Sequence, residues 1–372
     1  PPSRWLVAFG VMMCLSMLTS IWRWNTYESV VSFFKVYIAY FLIINLVSSF
    51  KRFRAVIWAM VASMVYIGIV SIREYYHSGA AMFGERMFGA YRGALFGDPN
   101  DLALGFTMLI PFLYFDLFRG RNVLRKMIQL GIIGLFLWGI VLTQSRGGLI
   151  GLLAMLLVLW MKNTAKIRLA VIGLIILAIG WQAAPQSYRE RITGIQTAVE
   201  EDAAAVSRLD AWKAGLNMMK GRAFGVGAGN FGEGFARYRP ADAVDFPGMR
   251  RAAHNMFVQV GGETGFPGLA VFVGMIAAAF GTLNRIKRKK REDRGENREK
   301  QKEMNLLTDA VFVSLAGYCA SGMFLSQAYN FVLYYLIAFA VVLGRMGEKI
   351  IDNRKEKIEK RRESIESEER AD

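Results

Sequence analysis

Cysteine and histidine are nearly missing from this sequence, with two of each in 372 residues. Cys14 and Cys319 both lie inside apolar runs, where a stapled loop cannot be, so a disulfide scaffold is excluded and both read as small core residues. Two histidines without a spare thiol do not supply the ligands of a zinc or other transition-metal centre, and no metal or other cofactor is expected. Acidic residues are short as well, 30 Asp and Glu against 46 Lys and Arg, for a net charge of +16. No signal peptide is evident in the opening Pro1-Pro2-Ser3-Arg4, which has no initiator Met, and the sequence is expected to be trimmed or to lack its start.

What the sequence has in excess is apolar surface, at 54% of residues. Globular chains sit near ~45–50%, and a single core stops growing at roughly 250–300 residues, so the surplus must face lipid. Apolar runs of the ~17–25 residues that cross a hydrocarbon core recur along the whole chain. About ten are expected, at 5–22, 30–50, 55–72, 99–118, 127–144, 147–161, 168–184, 266–283, 306–325 and 330–346.

The basic excess raises nucleic acid as a partner, but its placement decides against it. The longest block, Arg285-Ile-Lys-Arg-Lys-Lys-Arg291, follows directly on an apolar span, where the positive-inside rule puts cytoplasmic charge. The connectors with Lys51, Arg52 and Arg54, with Arg119, Arg121, Arg125 and Lys126, and with Lys162, Lys166 and Arg168 fall on the same side. The expected fold is therefore all-α, a polytopic membrane helical bundle. Residues 1–184 carry spans one to seven, 185–254 an extracytoplasmic loop region with its own helix, 255–346 the last three spans and 347–372 a charged cytoplasmic tail. Segment 73–98, the turn at 145–148 and segment 185–254 all reach the outer face, so the chemically unusual stretches gather there.

Each of those stretches has a plain reading beside a functional one. In Gly97-Asp98-Pro99-Asn100-Asp101, Asp98 suits an N-cap, Pro99 the first helical position, and Asp101 can reach back in a capping box. The same helix N-terminus also makes a site role for Arg92 and Asn100 physically reasonable. Arg146, in Thr143-Gln-Ser-Arg-Gly-Gly148, is either an interfacial anchor or, fixed on a short glycine-flanked turn, a fork for a phosphate. Ser207-Arg208-Leu-Asp210 has capping-box spacing and opens a helical pattern to about Lys220, which puts Arg208 in a first turn with free backbone N–H groups: an anion cradle, or a plain amphipathic helix. Lys35, about one turn into the second span, either snorkels or serves the site.

The stretch Gly225-Val-Gly-Ala-Gly-Asn-Phe-Gly232 contains a G-x-G-x-x-G that lacks the strand and βαβ unit of a dinucleotide site; its glycines are expected to let the loop fold over a substrate groove. His254-Asn255 leads through Gly261 to Glu263 before the eighth span. On a helix, His254, Val258 and Gly261 share a face, so the glycine would leave an opening beside the imidazole, whereas Glu263 would point away.

On these residues the sequence resembles the O-antigen ligase and polymerase family of bacterial envelope glycosyltransferases. The resemblance runs from Arg92-Gly-Ala-Leu-Phe-Gly-Asp-Pro-Asn100 through Thr143-Gln-Ser-Arg-Gly147 and Arg208-Leu-Asp-Ala-Trp212 to the H-x6-G pattern of His254 to Gly261 and Glu263. It departs at Trp212, where that motif usually carries Leu. The resemblance implies a GT-C-like enzyme of the inner membrane that moves a glycan, without metal, from an undecaprenyl diphosphate carrier to an acceptor at the periplasmic face. The acceptor would be lipid A core, a growing polysaccharide or a protein hydroxyl. It further implies Arg208 and His254 as the catalytic pair, with Arg146, Arg92 and Lys35 toward the diphosphate and Asn100, Asn255, Gly261 and Glu263 in support. Such members carry about two more spans than the ten read here, consistent with a missing N-terminal segment. The rival from another class is a transporter or lipid flippase, which predicts polar residues near the bilayer midplane and symmetry between halves; a scaffold subunit would not need an Arg and His cluster on one face.

Overall fold

The computed structural model describes residues 2–83, 85–90, 96–119, 122–162, 173, 181–182, 198–243, 249–290 and 298–369. Among them are eleven α-helices and no strand, so the chain is an all-α membrane protein. Six helices precede the loop region: α1 (Pro2–Leu15), α2 (Arg23–Leu46), α3 (Phe50–His77), α4 (Pro99–Asp116), α5 (Val123–Thr143) and α6 (Arg146–Lys162). Two follow in it, α7 (Ala198–Gly221) and α8 (Phe231–Tyr238), and three close the chain: α9 (Met256–Lys290), α10 (Arg298–Gly322) and α11 (Phe331–Glu369). Nine of the ten expected runs are helical; the run 168–184 lies outside the described residues except at 173 and 181–182.

By length and composition, Arg23–Leu46, Phe50–His77, Val123–Thr143, Met256–Arg288 and Phe331–Ile350 are apolar enough to cross a membrane. Helix α4 is the core instead, packed against α5, α6 and α10 and buried without interruption from Leu102 to Leu113. An apolar helix surrounded by apolar helices needs no polar stripe.

Polar contacts sort the connectors into two ends. At one, Glu303 of α10 pairs with Arg54 of α3 and, at 3.7 Å, with Arg119, while Asp116 receives Arg125 of α5. Asp309 of α10 takes Lys162 of α6 at 3.3 Å and Lys287 of α9. The basic connectors expected to share a side thus meet at a common end of the bundle; Arg121, Lys166 and Arg168 lie outside the described residues.

The opposite end is organised by a break in α9. Gly265 has φ 73° and ψ 179°, and Pro267 has no N–H to return to the Glu263 carbonyl. The freed carbonyls of Gly262 and Glu263 accept instead from Val226 N (2.9 Å) and Gly227 N (3.0 Å). Buried backbone must be satisfied inside a membrane protein, and here a glycine-rich loop does it. Gly225, Gly227 and Gly229 adopt φ of 68°, 98° and 80°, which side chains rarely tolerate.

That loop is held in place from its other side as well. It is gripped by the turn between α1 and α2: Ala228 N donates to Ser16 Oγ (3.1 Å), Thr19 Oγ1 to Gly225 O (2.7 Å), Ile21 N to Val226 O (3.0 Å) and Asn25 Nδ2 to Gly229 O (2.8 Å). The first span consequently ends short of residue 22, because residues 16–26 are spent on this joint. Glu263 closes it, its buried carboxylate accepting from Gly229 N (2.9 Å), Phe231 N at the start of α8 (3.2 Å) and Tyr329 Oη (2.6 Å). Glu263→Ala would take the acceptor from Gly229 N, the buried Phe231 N and Tyr329 Oη, at ~1–3 kcal/mol for each donor left buried and unsatisfied. A thermal melt in detergent should show a loss of several degrees; an unchanged melt would contradict this account of the joint.

Candidate functional site

Two helix N-termini meet at the non-basic end. Asp98 caps α4, accepting from Asn100 N at 2.7 Å, as the sequence indicated. Asp101 does not complete a capping box; its carboxylate receives Gln327 Nε2 from the connector between α10 and α11. Ser145 caps α6 by accepting from Gly148 N (3.0 Å) and donates its own hydroxyl to Asn100 Oδ1 (2.7 Å). Arg86 donates to the same Asn100 oxygen (3.1 Å) and to Thr143 O (3.1 Å). Asn100 is therefore the node that locks the two caps together, and Arg146, the first residue of α6, stands exposed beside it.

Arg208 lies on α7, half-buried, but not in a first turn. The helix begins at Ala198, because the stretch from Ala198 to Ala205 is rich in alanine and glutamate, strong helix formers, and runs on through Ser207. The capping box at Ser207 and the cradle of free N–H groups at Arg208 are thus absent. Its charge still counts: burial first, and then the nearby Arg146, push the Arg208 guanidinium below its ordinary value.

His254 precedes α9 rather than riding on it. Its φ is 47°, the left-handed region, and its N–H donates to Ser326 Oγ at 2.8 Å. Asn255 caps α9, its Oδ1 accepting from Phe257 N (2.9 Å) and Val258 N (3.2 Å). The shared helical face with Gly261 therefore does not form. Gly261 is instead a packing point, where an added Cβ would stand 2.4 Å from Met219 Sδ of α7. Burial and then the charges of Arg208 and Arg251 lower the His254 pKa, opposed by Asp98. Arg208 and Arg251 thus favour the neutral form of this half-buried imidazole, and Asp98 the charged one.

Arg208 is thus within electrostatic reach of both His254 and Arg146, on a helix that Trp212 ties to Ala253 beside the imidazole. Glu263 belongs to the glycine-loop joint. Lys35 is exposed on α2; because α2 starts at Arg23, seven residues earlier than expected, it is about 18 Å along the helix from that end rather than one turn. Arg92 lies outside the described residues. Sequence reasoning missed Arg86, Arg251, Ser326 and Gln327. The available signal was the polar connector Ser326-Gln-Ala-Tyr-Asn330, which alternation of spans places at the same end as His254. Among the described residues no group of three His, Cys, Asp or Glu is placed to hold a metal ion.

Five helices of membrane length and apolar composition mark a multi-pass membrane protein, with arginines near one imidazole at one end. Residues 130–273 are similar to the protein-family model described as O-antigen ligase. The match contains Arg146, Arg208 and His254; Asn100 and Arg92 fall before it. No curated protein matches the chain.

Proposed function

We propose that the protein transfers a glycan from an undecaprenyl diphosphate carrier to an acceptor hydroxyl at the periplasmic face of the bacterial inner membrane. The observation that carries this reading is the meeting of Arg208 and His254, from separate elements 46 residues apart in sequence, at the end of the bundle opposite the basic ion pairs. In the proposed step the acceptor oxygen attacks the anomeric carbon with inversion and gives its proton to the His254 imidazole. The bond from the anomeric carbon to the diphosphate oxygen breaks, and the carrier diphosphate leaves with the electron pair. Arg208 and Arg146 neutralise the charge growing on it, Arg92 assisting, and the leaving group needs no proton and no metal. The acceptor is lipid A core, a polysaccharide end or a protein hydroxyl; the first makes the enzyme a ligase, the others a polymerase or a protein glycosyltransferase.

An apolar groove of about 400 Å³ supports a lipid-linked donor. It runs between α3, α4 and α11 from Phe96 and Phe331, which adjoin the site's connectors, to Phe112 and Phe339 deep in the bundle. We assign it to the near end of the isoprenoid chain. Ala59→Trp, which fills the groove, should raise the KM for lipid-linked donor about tenfold, equivalent to ~1.4 kcal/mol, and leave kcat nearly intact; an unchanged KM would remove the groove from the donor path. The break at Gly265 does not favour a transporter, since its carbonyls are taken by Val226 and Gly227 rather than left to coordinate cargo. Release of undecaprenyl diphosphate by the purified protein in liposomes, with lipid-linked oligosaccharide as donor and an envelope extract as acceptor, tests the function directly. Passage of the intact donor between leaflets without release would establish a flippase instead.

A further inference from the structure

We infer that Trp212 is a positioning residue for His254, acting on the peptide unit that carries the imidazole; the inference rests on the reading of His254 as the base. The peptide between Ala253 and His254 is held at both of its polar atoms. Its carbonyl accepts from Trp212 Nε1 at 3.1 Å, and its N–H donates to Ser326 Oγ at 2.8 Å. In a trans peptide these groups point in opposite directions, so α7 on one side and the connector between α10 and α11 on the other clamp a single plane. The next residue, Asn255, is fixed by the two N–H groups it caps. Between these anchors His254 occupies the left-handed region, which a residue with a Cβ leaves unless its surroundings hold it there.

Trp212 follows Arg208 by one helical turn on α7, so the two side chains share a face of one rigid element. The helix that aims a guanidinium at the leaving group also supplies the donor that sets the base. Their separation is governed by one helix and one indole, an uncharged, half-buried side chain with only two torsions. A slip of the clamped peptide would move the imidazole relative to Arg208 of α7, Arg251 of its own loop and Asp98 at the start of α4, the charged groups that face it.

Trp212→Phe keeps the ring and removes the donor. In the full chain, purified into liposomes and supplied with undecaprenyl diphosphate-linked oligosaccharide and an envelope extract, it should lower kcat by about tenfold to a hundredfold, the scale of a misplacement near 1 Å. The donor KM should stay unchanged, and the acid limb of the rate profile should move upward toward the ordinary histidine value. Ser326→Ala, which releases the other edge of the same peptide, should move the acid limb the same way, and it decides the matter if Trp212→Phe does not accumulate in the membrane. A kcat loss with an unmoved acid limb would assign Trp212 to folding alone and overturn the inference, as would wild-type kinetics in a background where His254→Ala is inactive. Wild-type transfer by His254→Ala would instead defeat the underlying reading of the base, and this inference with it.

Discussion

His254→Ala should reduce transfer by ~10²–10⁴-fold, the span of a lost general base, while the protein still reaches the membrane and keeps its melting temperature. The imidazole is half-buried and beside Arg208 and Arg251, so its pKa lies below the ordinary 6.5. A base works in its neutral form, which is populated above that pKa. The wild-type rate should therefore be flat at neutral pH and fall only when acidification protonates His254, at a pH lower than an isolated histidine would give. Released carrier diphosphate, followed from pH 4.5 to 8, measures both outcomes. Full activity of the alanine variant, or an acid limb above 6.5, would remove His254 from the chemistry.

Arg208→Ala should cost a further kind of activity, about 10²–10³-fold, as expected for loss of one preorganised donor to a developing oxyanion. Arg208→Lys should recover only part of it, because an ammonium keeps the charge but not the planar fork that grips two phosphate oxygens. The two variants separate in their pH behaviour as well. Burial outranks the cationic neighbours in setting the His254 pKa, but Arg208 is the larger of the two cationic contributions. Deleting it should raise the acid limb of Arg208→Ala, whereas Arg208→Lys, still cationic, should keep the wild-type limb. Equal rates for arginine, lysine and alanine at this position would leave the diphosphate without its proposed partner.

Most of the bundle was legible because lipid imposes one rule, a run of apolar residues per crossing, and because basic connectors repeat on one side. The gathering of Arg146, Arg208 and His254 was legible through that same alternation, which assigns a face to each connector without any knowledge of packing. Local geometry was not. Arg208 was expected at a helix start from Ser207 and Asp210, yet alanines upstream extend the helix past both. Gly261 was expected to open space beside His254, yet the left-handed turn at 254 takes the histidine off the helix and leaves the glycine to Met219. The glycine-rich loop's part in the α9 break was hidden too, because nothing in its own residues reveals that Pro267, forty residues on, frees a carbonyl that needs its N–H groups. Long-range backbone accounting of this kind has no sequence period to betray it.

Two acidic residues of α10 have a mechanical meaning. Glu303 and Asp309 fasten cations from α3, α6 and α9, and Arg119 from the turn after α4, to a single helix. A sheaf tied at its base parts only at its tip. Hydroxyls and amides do most of the joining at the other end, so the proposed transfer would find room for its sugar chain there, with the tied floor as the fixed side.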